Sequence, residues 1–130
     1  MRSNVRRVDP GTAAGVLPRS LVAARLLLAA CAGLWFTLSL FSATVAWPRL
    51  AGATPLAPVL VGLMVANGAV FTALARALRR PTRFGLAAST GWAALNFVLS
   101  FTDQVGALDL ASAGLTLGTL VTLATAWRSV

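Results

Sequence analysis

The chain alternates between long apolar runs and short polar breaks. Four runs are long enough for helices that cross a membrane, at residues 21–47, 58–78, 84–101 and 109–127. From Leu26 to Trp47 the first run is uncharged, and at 1.5 Å per residue this stretch spans the ~30 Å of a bilayer's hydrocarbon. No run shows the polar and apolar alternation of a membrane strand. We therefore predict an all-α polytopic integral membrane protein with four transmembrane helices.

The breaks divide these runs into two hairpins. The stretch from Arg76 to Arg83 is the most basic break and joins the second run to the third, whereas residues 48–57 and 102–106 are expected to be loops. Residues 1–20 contain proline, glycine and arginine without a helical period, so we expect a tail at 1–20 and a transmembrane domain at 21–130. Ser20 and Asp109 are expected to cap the first and last helices.

Arginine supplies every basic residue of the chain, and its distribution predicts the orientation. One side holds Arg49, and the other holds ten arginines if Arg25 extends back to the interface: Arg2, Arg6, Arg7, Arg19, Arg25, Arg76, Arg79, Arg80, Arg83 and Arg128. The positive-inside rule then places both termini in the cytoplasm. We expect a multi-pass protein of a bacterial plasma membrane.

The net charge of +8 raises the question of nucleic-acid binding. The arginines lie at the ends of apolar runs and do not line one face, so we exclude nucleic acid as a partner. Membrane lipids are the expected anionic partner. Arg76, Arg79, Arg80 and Arg83 are the residues expected to contact their head groups.

Reactive side chains are scarce, since the chain has no His, Glu, Lys or Tyr and a single Cys. Asp103 and Asp109 could together hold a divalent ion, but calcium takes six to eight oxygen ligands, and a loop turn with a helix cap also explains both residues. No nucleotide-binding or metalloprotease motif is present. We therefore expect no enzyme activity, no metal and no cofactor.

The stretch Leu28-Ala29-Ala30-Cys31 resembles the lipobox of bacterial lipoproteins, in which the cysteine is acylated. Only five residues separate Arg25 from Cys31, fewer than the 7–15 apolar residues of an ordinary signal sequence. The apolar run also continues to Trp47. We expect an unmodified, buried thiol at Cys31.

Two amides, Asn67 and Asn96, lie inside the predicted spans. A buried amide needs partners in apolar surroundings. One hypothesis is that these groups line a polar path or bind a pigment magnesium. The other, which we favour, is that they hydrogen-bond across helices and to a tryptophan indole N–H.

Small residues recur at helical spacing in the fourth run, where Ala111, Gly114, Gly118 and Thr122 form a ridge that includes a GxxxG motif. Such a ridge permits close approach of another helix, from the same chain or from a partner. We therefore expect an accessory subunit or assembly factor of a larger membrane complex, in contact with other membrane subunits or with itself. The alternative is a small homo-oligomeric channel or carrier.

Overall fold

The structure, a computed structural model, describes residues 18–101 and 106–129. These residues form α1 (Arg19–Thr44), α2 (Trp47–Ala53), α3 (Ala57–Ala77), α4 (Arg83–Leu99) and α5 (Ala107–Ala126), followed by a 3₁₀ turn at Trp127–Ser129. The predicted all-helical class is confirmed. Three helices, α1, α3 and α5, are long and apolar enough to cross a membrane. Helix α4 has 17 residues, or about 26 Å of length, which is slightly less than the hydrocarbon thickness.

Residues 48–57 were predicted to be a loop, and this prediction was wrong for 48–53, which belong to α2; only 54–56 connect α2 to α3 outside a helix. Helix α1 ends at Thr44, and α2 begins at Trp47 with Pro48 in its first turn. Proline lacks the N–H that an interior helical residue donates, but the first turn has no acceptor for that N–H, so proline can begin a helix as well as end one. Pro58 lies in the first turn of α3 in the same way.

Two predicted helix caps also differ from the structure. Helix α1 begins at Arg19 after Pro18, and Ser20 lies inside the helix. Helix α5 begins at Ala107 after Gly106, so Asp109 is the third helical residue, and its carboxylate accepts the Gly106 N–H at 2.9 Å. The acidic residue thus still lies in the first turn, where it is favoured by the positive end of the helix dipole.

Successive long helices run in opposite directions. Helix α1 lies between α3 and α5, and α4 packs against α5, whereas α3 and α4 contact each other sparsely. In the first hairpin Ser42 of α1 meets Met64 of α3, and Phe36 meets Gly68. We call the end of the bundle that holds Arg19, 76–83 and Arg128 the basic end, and the opposite end, which holds Arg49 and Asp109, the far end.

The apolar core lies in the half of the bundle nearest the basic end. It contains Leu21, Ala24, Leu28, Phe71, Leu78, Leu86, Leu123 and Ala126. By contrast, large apolar side chains are exposed along the outside of the long helices; Leu26, Leu63 and Val121 are 66%, 61% and 58% exposed. An apolar outer surface of this extent suits lipid and not water. The fold thus supports association with a membrane.

Candidate functional site

Three side chains join α3 to α4 through hydrogen bonds in the middle of the bundle. The Asn67 side-chain N–H donates to Asn96 Oδ1 at 2.7 Å, and the Trp92 indole N–H donates to Asn67 Oδ1 at 2.9 Å. Asn96 donates in turn to the Trp92 carbonyl oxygen at 3.0 Å. We call Asn67, Trp92 and Asn96 the amide trio. Each of its side chains therefore has a partner.

The helical spacing of the chain explains how the amide trio forms. Trp92 and Asn96 are four residues apart, so they lie on the same face of α4. That face meets α3 at Asn67, and Asn96 is buried while Asn67 and Trp92 are half-buried. An amide left without partners in lipid would cost several kcal/mol. The trio avoids this cost by exchanging hydrogen bonds across the two helices.

A cleft of about 360 Å³ opens beside the amide trio, on the side of the far end. It exists because α3 and α4 contact each other sparsely, with Trp35 of α1 and Ser112 of α5 contributing to its lining. Apolar side chains form most of its walls: Leu63, Ala66, Val70, Leu95 and Leu99. Asp109 lies at its edge, and that carboxylate already accepts the Gly106 N–H. The cleft suits an apolar occupant with a few hydrogen-bonding groups.

Side chains suited to acid–base or metal chemistry do not cluster among the residues that the structure describes. Within residues 18–101 and 106–129, no three His, Cys, Asp or Glu side chains are close enough to hold a metal ion. Asp103 lies outside the described residues, so its predicted proximity to Asp109 stays a prediction. Cys31 is buried in the apolar core as a free thiol.

The small-residue ridge of α5 is split between two environments. A side chain on Gly118 would lie 3.7 Å from the Leu27 side chain of α1, so this part of the ridge packs inside the bundle. Thr122 is half-buried and donates to the Gly118 carbonyl oxygen at 3.0 Å. Ala111 and Gly114 are exposed, and a side chain on Gly114 would meet no atom within 4 Å. We call Ala111 and Gly114, with the exposed Leu110, Leu117 and Val121 around them, the open face of α5.

The four arginines expected to contact lipid head groups all lie at the basic end. Arg76 is in the last turn of α3, Arg79 and Arg80 are in the following loop, and Arg83 begins α4. All four are exposed. The loop ends in a well-formed cap, because Thr82 accepts the Gly85 N–H at 3.0 Å.

A row of buried hydroxyl groups on α5 was not predicted. Ser112, Thr116 and Thr119 are buried on the inner face of α5. Thr116 and Thr119 each donate at 2.8 Å to the carbonyl oxygen four residues before. Because the helix itself satisfies these threonine hydroxyls, they can pack without a partner on another helix. The spacing of these three residues, three to four positions apart, is the sequence signal that could have predicted a shared helix face.

Comparisons with protein-family models, with curated proteins and with solved structures find no match to this chain.

Proposed function

We propose that the protein is a non-catalytic membrane subunit or assembly factor, and that the open face of α5 binds a helix of another membrane protein. The observation that carries this proposal is the empty space over Gly114 on an exposed helix face. Glycine there lets a neighbouring backbone approach closely, and the exposed Leu110 and Leu117 beside it would add dispersion contacts.

The state of the polar groups supports the same proposal. A conduction pathway needs side chains that are free to bind an ion or a substrate, and such intramembrane groups are usually ionisable. In the amide trio, each side chain already bonds to another member of the trio. Those bonds favour packing over transport.

The alternative function, a homo-oligomeric channel or carrier, is favoured by one observation. The cleft between α3 and α4 is lined by Asn67 and Asn96 and reaches Asp109. A substrate could displace the mutual bonds of the two amides. This alternative requires a second copy of the chain as the main partner, which distinguishes it from a subunit of a hetero-complex.

The test is purification of the tagged protein in a mild detergent, with its size and co-purifying proteins as readouts. We expect a large hetero-complex, and Gly114→Leu should release the partner without unfolding the protein, because the added side chain enters open space. Gly91→Leu is the matched control, since Gly91 of α4 is also exposed and has nothing within 4 Å. A homodimer alone would favour the carrier, and retention of the partner by Gly114→Leu would exclude the open face as the contact.

For the topology we propose four spans with both termini in the cytoplasm of a bacterial plasma membrane. Support for the fourth span comes from two contacts of α4 with α5, one at the middle of α4 and one just past its C-terminal end. Ser100 Oγ lies 3.4 Å from Ser112 Oγ, and the Trp127 indole N–H donates to Thr90 Oγ1 at 3.3 Å. Over the ten residues between these contacts, about 15 Å, α4 lies in the same layer as α5. The arginine bias supports the orientation.

Cysteine labelling tests the orientation in a Cys31→Ala background. Gly52→Cys and Arg80→Cys both place the thiol at an exposed position, on α2 and in the basic loop. We expect an impermeant maleimide added outside the cell to label position 52 and not position 80. The reverse pattern would contradict the proposed topology.

A further inference from the structure

A second groove, of about 460 Å³, lies between α1 and α3 in the half of the bundle nearest the basic end. Its upper part, nearest the basic end, contains three arginines: Arg25 of α1, Arg76 of α3 and Arg79 of the following loop. Val22 and Leu26 of α1 lie beside them. Its lower part, toward the middle of the bundle, is mostly apolar, and is lined by Ala29, Ala32, Gly33 and Phe36 of α1 with Thr72 and Ala75 of α3. We call it the arginine groove.

The arginines of the groove have no acidic partner in the described residues. Asp109 is the only acidic residue within 18–101 and 106–129, and it lies at the far end. The Nε of Arg25 is buried and has no hydrogen-bond partner among the described atoms. A guanidinium is always charged, so a buried unpaired N–H on it is costly, and a phosphate is the anion that suits its planar fork of donors.

The distance from the arginines to the inner end of the groove matches the thickness of one membrane leaflet. From Arg25 to Phe36 the groove follows α1 for 11 residues, which is about 16 Å at 1.5 Å per residue. Half of the hydrocarbon thickness is about 15 Å. An acyl chain whose phosphate lies among the arginines would therefore run along the groove to the middle of the bilayer. Gly33 and Ala29 leave room for it, because both are exposed and Gly33 has open space where a side chain would be.

We propose that the arginine groove is a binding site for one anionic phospholipid, with its phosphate held by Arg25, Arg76 and Arg79 and one acyl chain lying along α1 to Phe36. Arg80 and Arg83 are as basic and as exposed, but they do not line the groove. The site therefore differs from a general attraction of anionic lipids to a basic loop, which would involve all these arginines equally. It does not depend on the proposed subunit function.

The first experiment measures lipid retention by native mass spectrometry of the full chain in a non-ionic detergent. Phosphatidylglycerol is compared with phosphatidylcholine of the same acyl chains and with inorganic phosphate. We expect one bound phosphatidylglycerol and an affinity for it about tenfold above that for phosphatidylcholine, because both lipids carry the phosphate but the choline cation of phosphatidylcholine is repelled by the three arginines. Equal retention of the two lipids, or saturation of the site by inorganic phosphate alone, would overturn the proposal.

Matched charge variants distinguish lipid binding in the arginine groove from general attraction of anionic lipid to the basic loop. Arg76→Gln with Arg79→Gln and Arg80→Gln with Arg83→Gln remove the same charge from adjacent positions. The first pair should lose the roughly tenfold preference for phosphatidylglycerol and the second should keep it. Arg25→Gln should also lose it, although this residue lies far from the loop in sequence. An equal loss in both pairs would show a diffuse electrostatic effect and would refute the site.

A charge-neutral variant tests the acyl-chain part of the groove. Gly33→Leu adds a side chain where nothing lies within 4 Å, so the protein should fold, and the added side chain should fill the lower groove. We expect it to weaken phosphatidylglycerol binding severalfold with all arginines intact, whereas Gly91→Leu on α4 should not. Unchanged lipid binding in Gly33→Leu would exclude the acyl chain from the groove.

Discussion

Two seams join the first hairpin (α1 and α3) to the second (α4 and α5), and they are held by different interactions. Where α1 meets α5, both helices bury apolar residues against each other: Leu21, Ala24, Leu28, Leu123 and Ala126 are all 1% exposed or less. Where α3 meets α4, contacts are sparse and the amide trio makes the connection. One seam is closed by packing and the other is bridged by hydrogen bonds.

The difference shows what can hold helices together where lipid replaces water. Lipid tails are as apolar as leucine, so burial alone does not drive association, and close packing or interhelical hydrogen bonds must supply the energy. The α1–α5 seam uses small residues such as Ala24 and Ala126 beside leucines, which gives many dispersion contacts. At the α3–α4 seam fewer residues touch each other, and a cleft remains between the helices.

The largest expected effect is at the packed seam. Leu123 of α5 is fully buried in the apolar core, in the same cluster as Leu21 and Leu28 of α1, and Leu123→Ala should leave a cavity there. We expect a loss of about 1–3 kcal/mol in the free energy of unfolding, toward the lower part of the range for core truncations because the side chain is exposed to lipid and not water when the helices separate. Equilibrium unfolding in a mild detergent measures it.

Leu117→Ala is the control for this truncation. Leu117 belongs to the same helix and the same residue type but is 48% exposed, so its truncation should change the free energy of unfolding by less than about 0.5 kcal/mol. If Leu123→Ala and Leu117→Ala lower the free energy of unfolding by the same amount, close packing does not account for the stability of the α1–α5 seam.

The bridged seam should respond to loss of an amide with a smaller effect. Asn67→Leu and Asn96→Leu each remove one side of a bond and leave its partner unsatisfied, and each should cost about 0.6–1.7 kcal/mol. The double variant should cost less than the sum of the two, because neither amide is then left without the other. Unfolding of all four proteins gives the coupling energy. A coupling near zero would show that the bond between the amides does not hold the seam.

The sequence predicted the helices better than it predicted what joins them. Long apolar runs identified all four long helices within about three residues at each end, since length and hydropathy carry that signal. The turn at Pro48 was misread because proline suits both the end of one helix and the first turn of another. The sequence pattern alone cannot show whether the helix ends at such a proline or a new helix begins there, because both outcomes satisfy the same local rule.

For the candidate site, the sequence singled out Asn67, Asn96 and a tryptophan partner, because amides in apolar runs are conspicuous. It did not show that α3 and α4 would be sparsely packed, which creates the cleft. Nor did it divide the ridge of α5, where Gly118 packs on Leu27 and Gly114 is open. Such differences depend on the rotation of each helix about its axis, and small-residue spacing alone does not determine that rotation.

A third variant tests whether the indole belongs to the bridge. Trp92→Phe keeps an aromatic ring beside the cleft but removes the N–H that Asn67 Oδ1 accepts at 2.9 Å. We expect a loss of about 0.6 kcal/mol in the free energy of unfolding, the average for one interhelical hydrogen bond. In the Asn67→Leu background the same change should cost less, since the acceptor is already gone. If Trp92→Phe lowers the free energy of unfolding equally in both backgrounds, the indole N–H does not interact with Asn67.

The smallest expected effect concerns a polar contact that resembles the bridge but has poor geometry. Ser100 Oγ lies 3.4 Å from Ser112 Oγ, yet the same hydroxyl lies 2.9 Å from the Asn96 carbonyl oxygen. The shorter contact takes the Ser100 proton, so a bond in the serine pair would need Ser112 to donate to Ser100 Oγ. At 3.4 Å the two oxygens are well beyond the roughly 2.5–3.0 Å of a good O–H···O bond, which leaves the pair with little hydrogen-bond energy. Ser112→Ala should therefore change the free energy of unfolding by less than about 0.5 kcal/mol. A loss of 1 kcal/mol or more would mean that hydroxyl pairs between α4 and α5 hold the bundle as the amides do, and the contrast between a packed and a bridged seam would then be too simple.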